Sequence, residues 1–347
     1  MRPLIVIDDA IPYIKGVFEP WADVHYLPAA AITAQEVQHA TALVVRTRTR
    51  CNERLLLGSD VRFIATATIG YDHIDTLFCA QHEIAWANAP GCNSGAVLQY
   101  VMSAISLYSQ SRQIPLDGMT IGVVGVGHVG KRVADLAKRL GLRVLLNDPP
   151  RDEAENGFVS ASLQTIAEEA DVITFHTPLT RDGNWPTYHL ADEKLFTKMK
   201  RTPLIINAAR GGIVDEKAML QAHAFGQISD FVVDCWEGEP LINHVLLSLA
   251  LAATPHIAGY SADGKANATT QCVRSVARFL GIEALDNFTV EALVPMAPQK
   301  LNPSIFCEQQ LMNYQILQDS ELLKQHPENF ERFRTDYTLR REVEYLD

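Results

Sequence analysis

Short apolar runs alternate with stretches of helical spacing along most of the chain. LIVID (4–8), ALVVR (42–46) and RFIAT (62–66) are rich in β-branched residues and predict strands, with helical patterns at 33–40, 52–57 and 74–82 between them. Such alternation predicts a parallel sheet with helices on its faces. Pro90-Gly91 then punctuates the chain, and 96–109 places Val97, Tyr100, Val101, Ala104, Ile105 and Tyr108 at helical spacing, a helix leading into a second domain. A second series follows, with strands predicted at 120–125, 143–147, 171–175, 203–207, 230–233 and 251–254. Helical stretches at 129–140, 161–169, 192–199, 215–225 and 243–249 separate them. Six strands of this kind suit a doubly wound dinucleotide-binding domain. Beyond His256 the pattern is helical over 264–280, followed by a connector bearing Pro295, Pro298 and Pro303. In the charge-dense stretch 321–347, Phe330, Phe333 and Tyr337 fall at i, i+3 and i+7, which predicts a helix with an aromatic stripe. Core packing is the simpler use of that stripe; a subunit contact is the alternative.

Composition narrows the function. A length of 347 residues fits two or three domains at the usual size of about 150 residues each. The formal net charge is −11, which argues against a surface that grips nucleic acid phosphates. The six cysteines are scattered with no C-x-x-C pair, so no metal site and no disulfide scaffold is expected. The N-terminus meets Asp8 and Asp9 after one short apolar run and does not read as a signal peptide. The uncharged stretches 84–111 and 241–262 are broken by Pro, Asn, Gly or His and do not read as membrane spans. The expectation is a soluble, reduced, cytoplasmic protein with neither membrane nor nucleic acid as partner.

Gly125-Val126-Gly127-His128-Val129-Gly130 is a G-x-G-x-x-G run between a predicted strand and an amphipathic helix carrying Val129, Val133, Leu136, Ala137 and Leu140 on one face. In that context Gly125 permits a tight turn, Gly127 lets backbone approach a pyrophosphate, and Gly130 lets helix and strand pack closely. The helix N-terminus adds N–H groups and partial positive charge. Asp148, at the end of the next strand, suits the adenosine ribose hydroxyls and would repel a 2′-phosphate, favouring NAD over NADP. The alternatives are a turn residue before Pro149-Pro150, and an NADP site using the nearby Arg151.

In an open parallel sheet, chemistry collects beyond the carboxyl ends of the strands. The residues there are His176-Thr177-Pro178, Asn207-Ala208-Ala209-Arg210, Asp234 through Glu239, and His256. Hydride removal from a carbon bearing a hydroxyl requires a base for the proton and a cation for the substrate carboxylate, beside a nicotinamide. Histidine suits the first role and arginine the second. Pattern alone does not choose between His176 and His256, nor between Glu237 and Glu239, and Arg210 could be an ordinary surface residue.

The segments TIGVVGVGHVGKRVA (120–134), FHTPLT (175–180), LIINAARGGIVDE (204–216), VVDCWEGEP (232–240) and PHIAGY (255–260) together resemble the D-isomer-specific 2-hydroxyacid dehydrogenases. The resemblance implies that Arg210 binds the substrate carboxylate, His256 is the acid/base and Glu239 its partner. It implies NAD as cofactor, with Asp234 on the nicotinamide carboxamide and with Gly125, Gly127, His128, Val129, Gly130, Asp148, Thr177, Ala208, Ala209, Arg210 and Gly259 around the dinucleotide. It also implies an α/β architecture of two doubly wound parallel-sheet domains. A Rossmann NAD domain (96–256) is inserted in a flavodoxin-like substrate lobe (1–95 with 257–285), and a small C-terminal α+β dimerisation domain (286–347) follows. Segments 65–75, 88–97, 176–195, 256–271 and 330–342 carry the likeness further, toward a small phosphorylated sugar acid as substrate and a homodimer built through the tail. By resemblance Thr47, Thr68 and Tyr260 contact substrate. Arg46, after a predicted strand, is a candidate cation for it or an exposed member of the run RTRTR (46–50). The alternatives are a relative acting on 3-phosphoglycerate or hydroxypyruvate, and an NAD-sensing interaction protein on the same fold.

Overall fold

The apolar runs of the sequence become the inner strands of two parallel sheets. The computed structural model describes residues 2–294 and 296–346, so Pro295 of the expected connector lies outside the described residues. The chain divides into two compact units, Met1–Asn93 with Ser261–Met296, and Ser94–Tyr260 with Ala297–Asp347.

In the first unit, β1 (Leu4–Asp8), β2 (Asp23–Leu27), β3 (Ala42–Val45), β4 (Phe63–Thr66) and β5 (Ala85–Ala87) form a parallel sheet in the order β2-β1-β3-β4-β5. That is the flavodoxin-like order, with its switch point between β1 and β3. The inner strands are apolar because both faces are covered. Val273 and Val276 of the helix Ala262–Leu280 pack with Ile5, Ile7, Val44 and Ala65, while Val37, Leu55, Leu56 and Phe78 pack with Val6, Leu43 and Ile64. The long helix begins at Ser261, whose side chain accepts from Gly264 N–H, and ends at Gly281 in the left-handed region (φ 71°). The edge strands β2 and β5 were not foreseen: DVHYL is partly exposed and mixes polar with apolar residues, and AWA is short and partly exposed.

In the second unit, β6 (Thr120–Val124), β7 (Arg143–Asn147), β8 (Val172–Phe175), β9 (Leu204–Asn207), β10 (Asp230–Val233) and β11 (Ala252–Ala253) are the six expected strands. All pair in parallel, in the order β7-β6-β8-β9-β10-β11. One strand lies to one side of β6 and four to the other, so the direction of winding reverses between β6 and β8. Where a further strand would border β7, Ala161 N–H donates to the Leu146 carbonyl at 2.7 Å, and no strand forms there. Tyr100, Val101 and Ile105 of the helix Ser94–Arg112 and Val133, Leu136 and Ala137 of the helix His128–Arg139 fill one face. Ile166, Met219 and Leu246 fill the other.

Residues 297–347 of the tail pack with this second unit, while 286–296 stay with the first. The tail's helices are Phe306–Asn313, Ile316–Gln325 and Phe330–Thr335, and Gln299–Lys300 pairs in parallel with Tyr345–Leu346. Phe306, Ile316 and Tyr345 join the core against the helix Ser94–Arg112, and Leu323 and Phe330 join the core on the other face. The aromatic stripe is shorter than predicted: the last helix stops at Thr335, and Tyr337 lies beyond it, donating to Asp319 at 3.1 Å. Phe330 is buried, so its part of the stripe is core packing. Among the described residues, no helix is long and apolar enough to cross a membrane.

Candidate active site

The loop after β6 has the shape that a pyrophosphate requires. Gly125 takes φ 87°, and a Cβ there would lie 2.8 Å from the backbone of His176 and Thr177 at the end of β8. A Cβ on Gly130 would come within 2.0 Å of the Gly125 carbonyl oxygen, so the helix could not approach the turn with any other residue. A Cβ on Gly127 would meet nothing within 4 Å, which leaves that side of the loop for a ligand. No side chain caps the helix His128–Arg139, so His128 and Val129 open it with first-turn N–H groups facing the loop. The Thr177 hydroxyl is buried without a hydrogen-bond partner in the protein. These features fit a dinucleotide.

Asp148 caps a helix and also reaches into the glycine loop. Its Oδ1 accepts from Arg151 N–H and caps the helix Pro149–Ala154, while its Oδ2 accepts from Val126 N–H at 2.8 Å inside the glycine loop. A carboxylate has about four acceptor positions, so capacity remains for ribose hydroxyls. Arg151 is committed elsewhere. Its Nε and Nη2 pair with Glu155 at 2.8 and 2.5 Å, its Nη1 donates to the Val126 carbonyl, and its guanidinium stacks on Phe158 at 4.4 Å. A 2′-phosphate would have to break that pairing and face Asp148.

The carboxyl ends of β9, β10 and β11 carry the candidate catalytic side chains. Asn207 closes β9 and ties the turn together: its Nδ2 donates to the Arg210 carbonyl at 3.0 Å, and its Oδ1 accepts from Ala209 N–H at 3.3 Å. Ala208 packs against the core beside this turn, and Arg210 Nη1 donates to the Ala209 carbonyl at 2.7 Å. Gly211 brings the Arg210 turn against the loop after β10, since a Cβ there would fall 1.9 Å from the Trp236 carbonyl oxygen.

That second loop carries Glu239. One of its oxygens, Oε1, accepts from Trp236 N–H at 2.9 Å, and the carboxylate meets His256 Nδ1 at 2.9 and 3.0 Å. The structure thereby separates residues that pattern alone left equivalent. His256 has the carboxylate, whereas His176 bonds through Nε2 to the Thr174 hydroxyl at 3.0 Å, and burial pulls its pKa down to about 3. Burial also pulls His256 down, but Cys235 and Glu239 outweigh it and hold the imidazole well above the ordinary histidine value. Burial keeps the Cys235 thiol protonated at neutral pH, so Glu239 is the cause we assign. Burial pushes Glu239 up, yet the hydrogen bonds from His256 and Trp236 with the imidazolium charge leave it below the usual carboxylate range. With Nδ1 given to Glu239, Nε2 is the nitrogen left for a reacting proton.

Asp234 is filled largely by its own chain. Its Oδ1 accepts from the Thr254 hydroxyl and Ile257 N–H, both at 2.7 Å, and its Oδ2 from Ala258 N–H at 2.9 Å. The Cys235 thiol also points at Oδ2, at 4.0 Å. Tyr100 bonds the Thr254 hydroxyl at 2.7 Å, and Trp236 Nε1 donates to the Thr254 carbonyl at 2.9 Å. This network, missed from the sequence, holds the turn around His256, which has φ 57°, and leads through Gly259 to Tyr260, whose N–H donates to the Ile257 carbonyl. A polar residue at the end of a strand facing a buried aromatic hydroxyl was the available signal.

Glu237 belongs to a different cluster. Its Oε1 meets His189 Nε2 at 3.0 Å and accepts from Glu216 N–H at 3.3 Å, while His189 Nδ1 lies 3.6 Å from Asp215. In return Glu216 accepts from Glu237 N–H at 2.7 Å. Burial, with Glu237, Glu239 and Asp215 nearby, pushes Glu216 up to about 7.

In the first unit, Arg46 and Thr47 follow β3, and Arg46 Nη1 reaches the Ala10 carbonyl at 3.5 Å, beside the β1/β3 switch point. Thr68 follows β4; its hydroxyl bonds Thr66 and the Gly70 carbonyl, both at 2.8 Å. Thr47 is exposed, and Arg46 and Thr68 are half-buried.

The profile of the D-isomer specific 2-hydroxyacid dehydrogenase NAD binding domain matches residues 99–258. The chain belongs to the D-isomer-specific 2-hydroxyacid dehydrogenase family. Within it, the chain is 51% identical over 340 residues to the erythronate-4-phosphate dehydrogenase of Bacteroides thetaiotaomicron, covering 97% of each protein. It is 49% identical over 341 residues to that of Bacteroides fragilis, again with 97% of each covered. With the Porphyromonas gingivalis erythronate-4-phosphate dehydrogenase it shares 40% identity over 344 residues, 98% of this chain and 93% of that one. In fold it resembles the Aquifex aeolicus D-lactate dehydrogenase crystallised with NAD and lactic acid, with a TM-score of 0.65 and 24% identity over 81% of this chain and 96% of that one.

Proposed function

We propose that the protein oxidises 4-phospho-D-erythronate to (R)-3-hydroxy-2-oxo-4-phosphooxybutanoate with NAD, a step of pyridoxal 5′-phosphate biosynthesis. The observation that carries the reading is the His256–Glu239 pair at 2.9–3.0 Å on the carboxyl edge of a sheet whose first strand ends in a glycine cradle. NAD supplies the acceptor for the hydride leaving C2. Neutral His256 takes the C2 hydroxyl proton on Nε2, and Glu239 fixes the tautomer and stabilises the imidazolium that forms. Arg210 holds the substrate carboxylate and polarises the carbon that becomes a carbonyl.

The glycine loop, His128, Val129, Thr177, Ala208, Ala209 and Gly259 line the dinucleotide. Asp148 takes the ribose hydroxyls, and Asp234 the nicotinamide carboxamide. Arg46, Thr47, Thr68 and Tyr260 contact the substrate. Kinship to erythronate-4-phosphate dehydrogenases along nearly the whole chain supports this substrate over 3-phosphoglycerate or hydroxypyruvate. The protein works as a homodimer built through the tail, where Met312, Leu317 and Leu322 expose apolar surface. It works in the cytoplasm, in keeping with six free cysteines.

A panel of sugar acids followed by NADH absorbance tests the reading. Reduction of NAD should be far faster with 4-phospho-D-erythronate than with 3-phosphoglycerate or D-lactate. Equal rates with unphosphorylated erythronate would overturn the phosphate specificity.

A further inference from the structure

The geometry points to Arg340, in the C-terminal tail, as a positioning residue of the acid–base site; this rests on the reading of His256 as the acid/base. The five N–H groups of its guanidinium meet five oxygens. Nε donates to Gln99 Oε1 at 3.2 Å, Nη1 to the Ile257 carbonyl at 3.1 Å and the Tyr337 hydroxyl at 3.2 Å, and Nη2 to the carbonyls of Ala96 (3.1 Å) and Ala258. None of these acceptors is a carboxylate, although a protein arginine usually pairs with one. The guanidinium plane lies on the Tyr314 ring at 4.3 Å, and Asp319 fixes both tyrosines by accepting from Tyr314 at 2.8 Å and Tyr337 at 3.1 Å. The rigid fork is therefore held on three sides before it reaches residues 257 and 258.

Those two residues follow His256 directly. Their N–H groups are taken by Asp234 and their carbonyls by Arg340, so the turn is gripped from both of its polar edges. The grip has a physical reason. His256 sits at φ 57°, a region disfavoured for a residue with a Cβ, and such a conformation persists only when its surroundings over-determine it. Removing the fork leaves the Ala258 carbonyl without its donor and the Ile257 carbonyl with Tyr260 N–H alone, which lets the turn relax and moves the imidazole relative to Glu239. Arg340 touches no reacting atom; it acts through the backbone.

Three measurements on Arg340→Ala and Arg340→Lys test this. Amide hydrogen exchange across 252–262 should quicken by about tenfold or more at Ile257 and Ala258 in Arg340→Ala. Turnover should fall at least about tenfold, well beyond any rise in the KM for NAD, because the placement of His256 is what the turn most directly sets. Added guanidinium ion should recover part of the turnover of Arg340→Ala. Arg340→Lys, with charge but no fork, should retain the defect, and it carries the test if the alanine variant does not fold. Unchanged exchange at 257 and 258, or full turnover in a folded variant, would overturn the proposal. If the wild-type chain fails to oxidise 4-phospho-D-erythronate, the substrate reading falls, while the exchange measurement still decides whether Arg340 holds the turn.

Discussion

Two histidine–carboxylate clusters flank the same short loop, and they behave differently. His256 pairs with Glu239, and His189 pairs with Glu237, two residues earlier in the chain. Burial does not distinguish them, since the two histidine side chains are 29% and 28% exposed. The count of carboxylates does. His189 bonds Glu237 through Nε2 at 3.0 Å and has Asp215 3.6 Å from Nδ1, so carboxylates face both nitrogens beside the start of the helix Glu216–Ala224. His256 faces a carboxylate, Glu239, with Nδ1 alone.

The comparison can be broken in three ways. The largest effect is expected from His256→Ala, which should lower turnover by about 10²–10⁴-fold while NAD affinity, read by fluorescence titration, stays within a few-fold. His189→Gln should leave turnover nearly intact; a comparable loss there would make the two clusters equivalent.

A smaller effect concerns pH. In the oxidative direction the base must be neutral, so kcat/KM should rise with pH through an inflection above 6.5, the ordinary histidine value from which Glu239 raises His256. Glu239→Gln should move that inflection down, whereas Glu237→Gln should not. A profile unmoved by Glu239→Gln would remove the carboxylate from the mechanism.

The smallest effect concerns stability. Glu216 stands at about 7 in the folded protein against 4.5 for a free carboxyl. Between those values the folded state binds the extra proton, so the group's contribution to stability is lost as pH rises through 7 and does not return above it. Glu216→Gln, which still accepts from Glu237 N–H, should match the wild type in Tm near about pH 4 and exceed it near about pH 8. A constant difference across that range would mean that Glu216 is not held protonated.

The legibility of the chain follows the same physics. Inner strands were readable because burial on both faces demands unbroken apolar runs, as in Ala42–Val45 and Leu204–Asn207. The edge strands Asp23–Leu27 and Ala85–Ala87 were not, because one face and one edge meet water. The glycine loop, Arg210 and His256 could be named as candidates because they follow strands at the end where parallel sheets place ligands. The choice between Glu237 and Glu239 was not readable, since it depends on which histidine each loop residue meets. Nor was Arg340, whose partners are mostly backbone oxygens far away in sequence and leave no motif.

Glu239 Oε1 accepts from both Trp236 N–H and His256 Nδ1, closing a ring of four residues within its own loop. The orientation of the dyad is thus settled when the chain folds, before any ligand arrives. The site is preorganised at this point, and the reorganisation that water would have to undergo around a new imidazolium has no counterpart here. On the proposed reading of His256 as the base, binding free energy from the substrate can then go into aligning C2 with the nicotinamide.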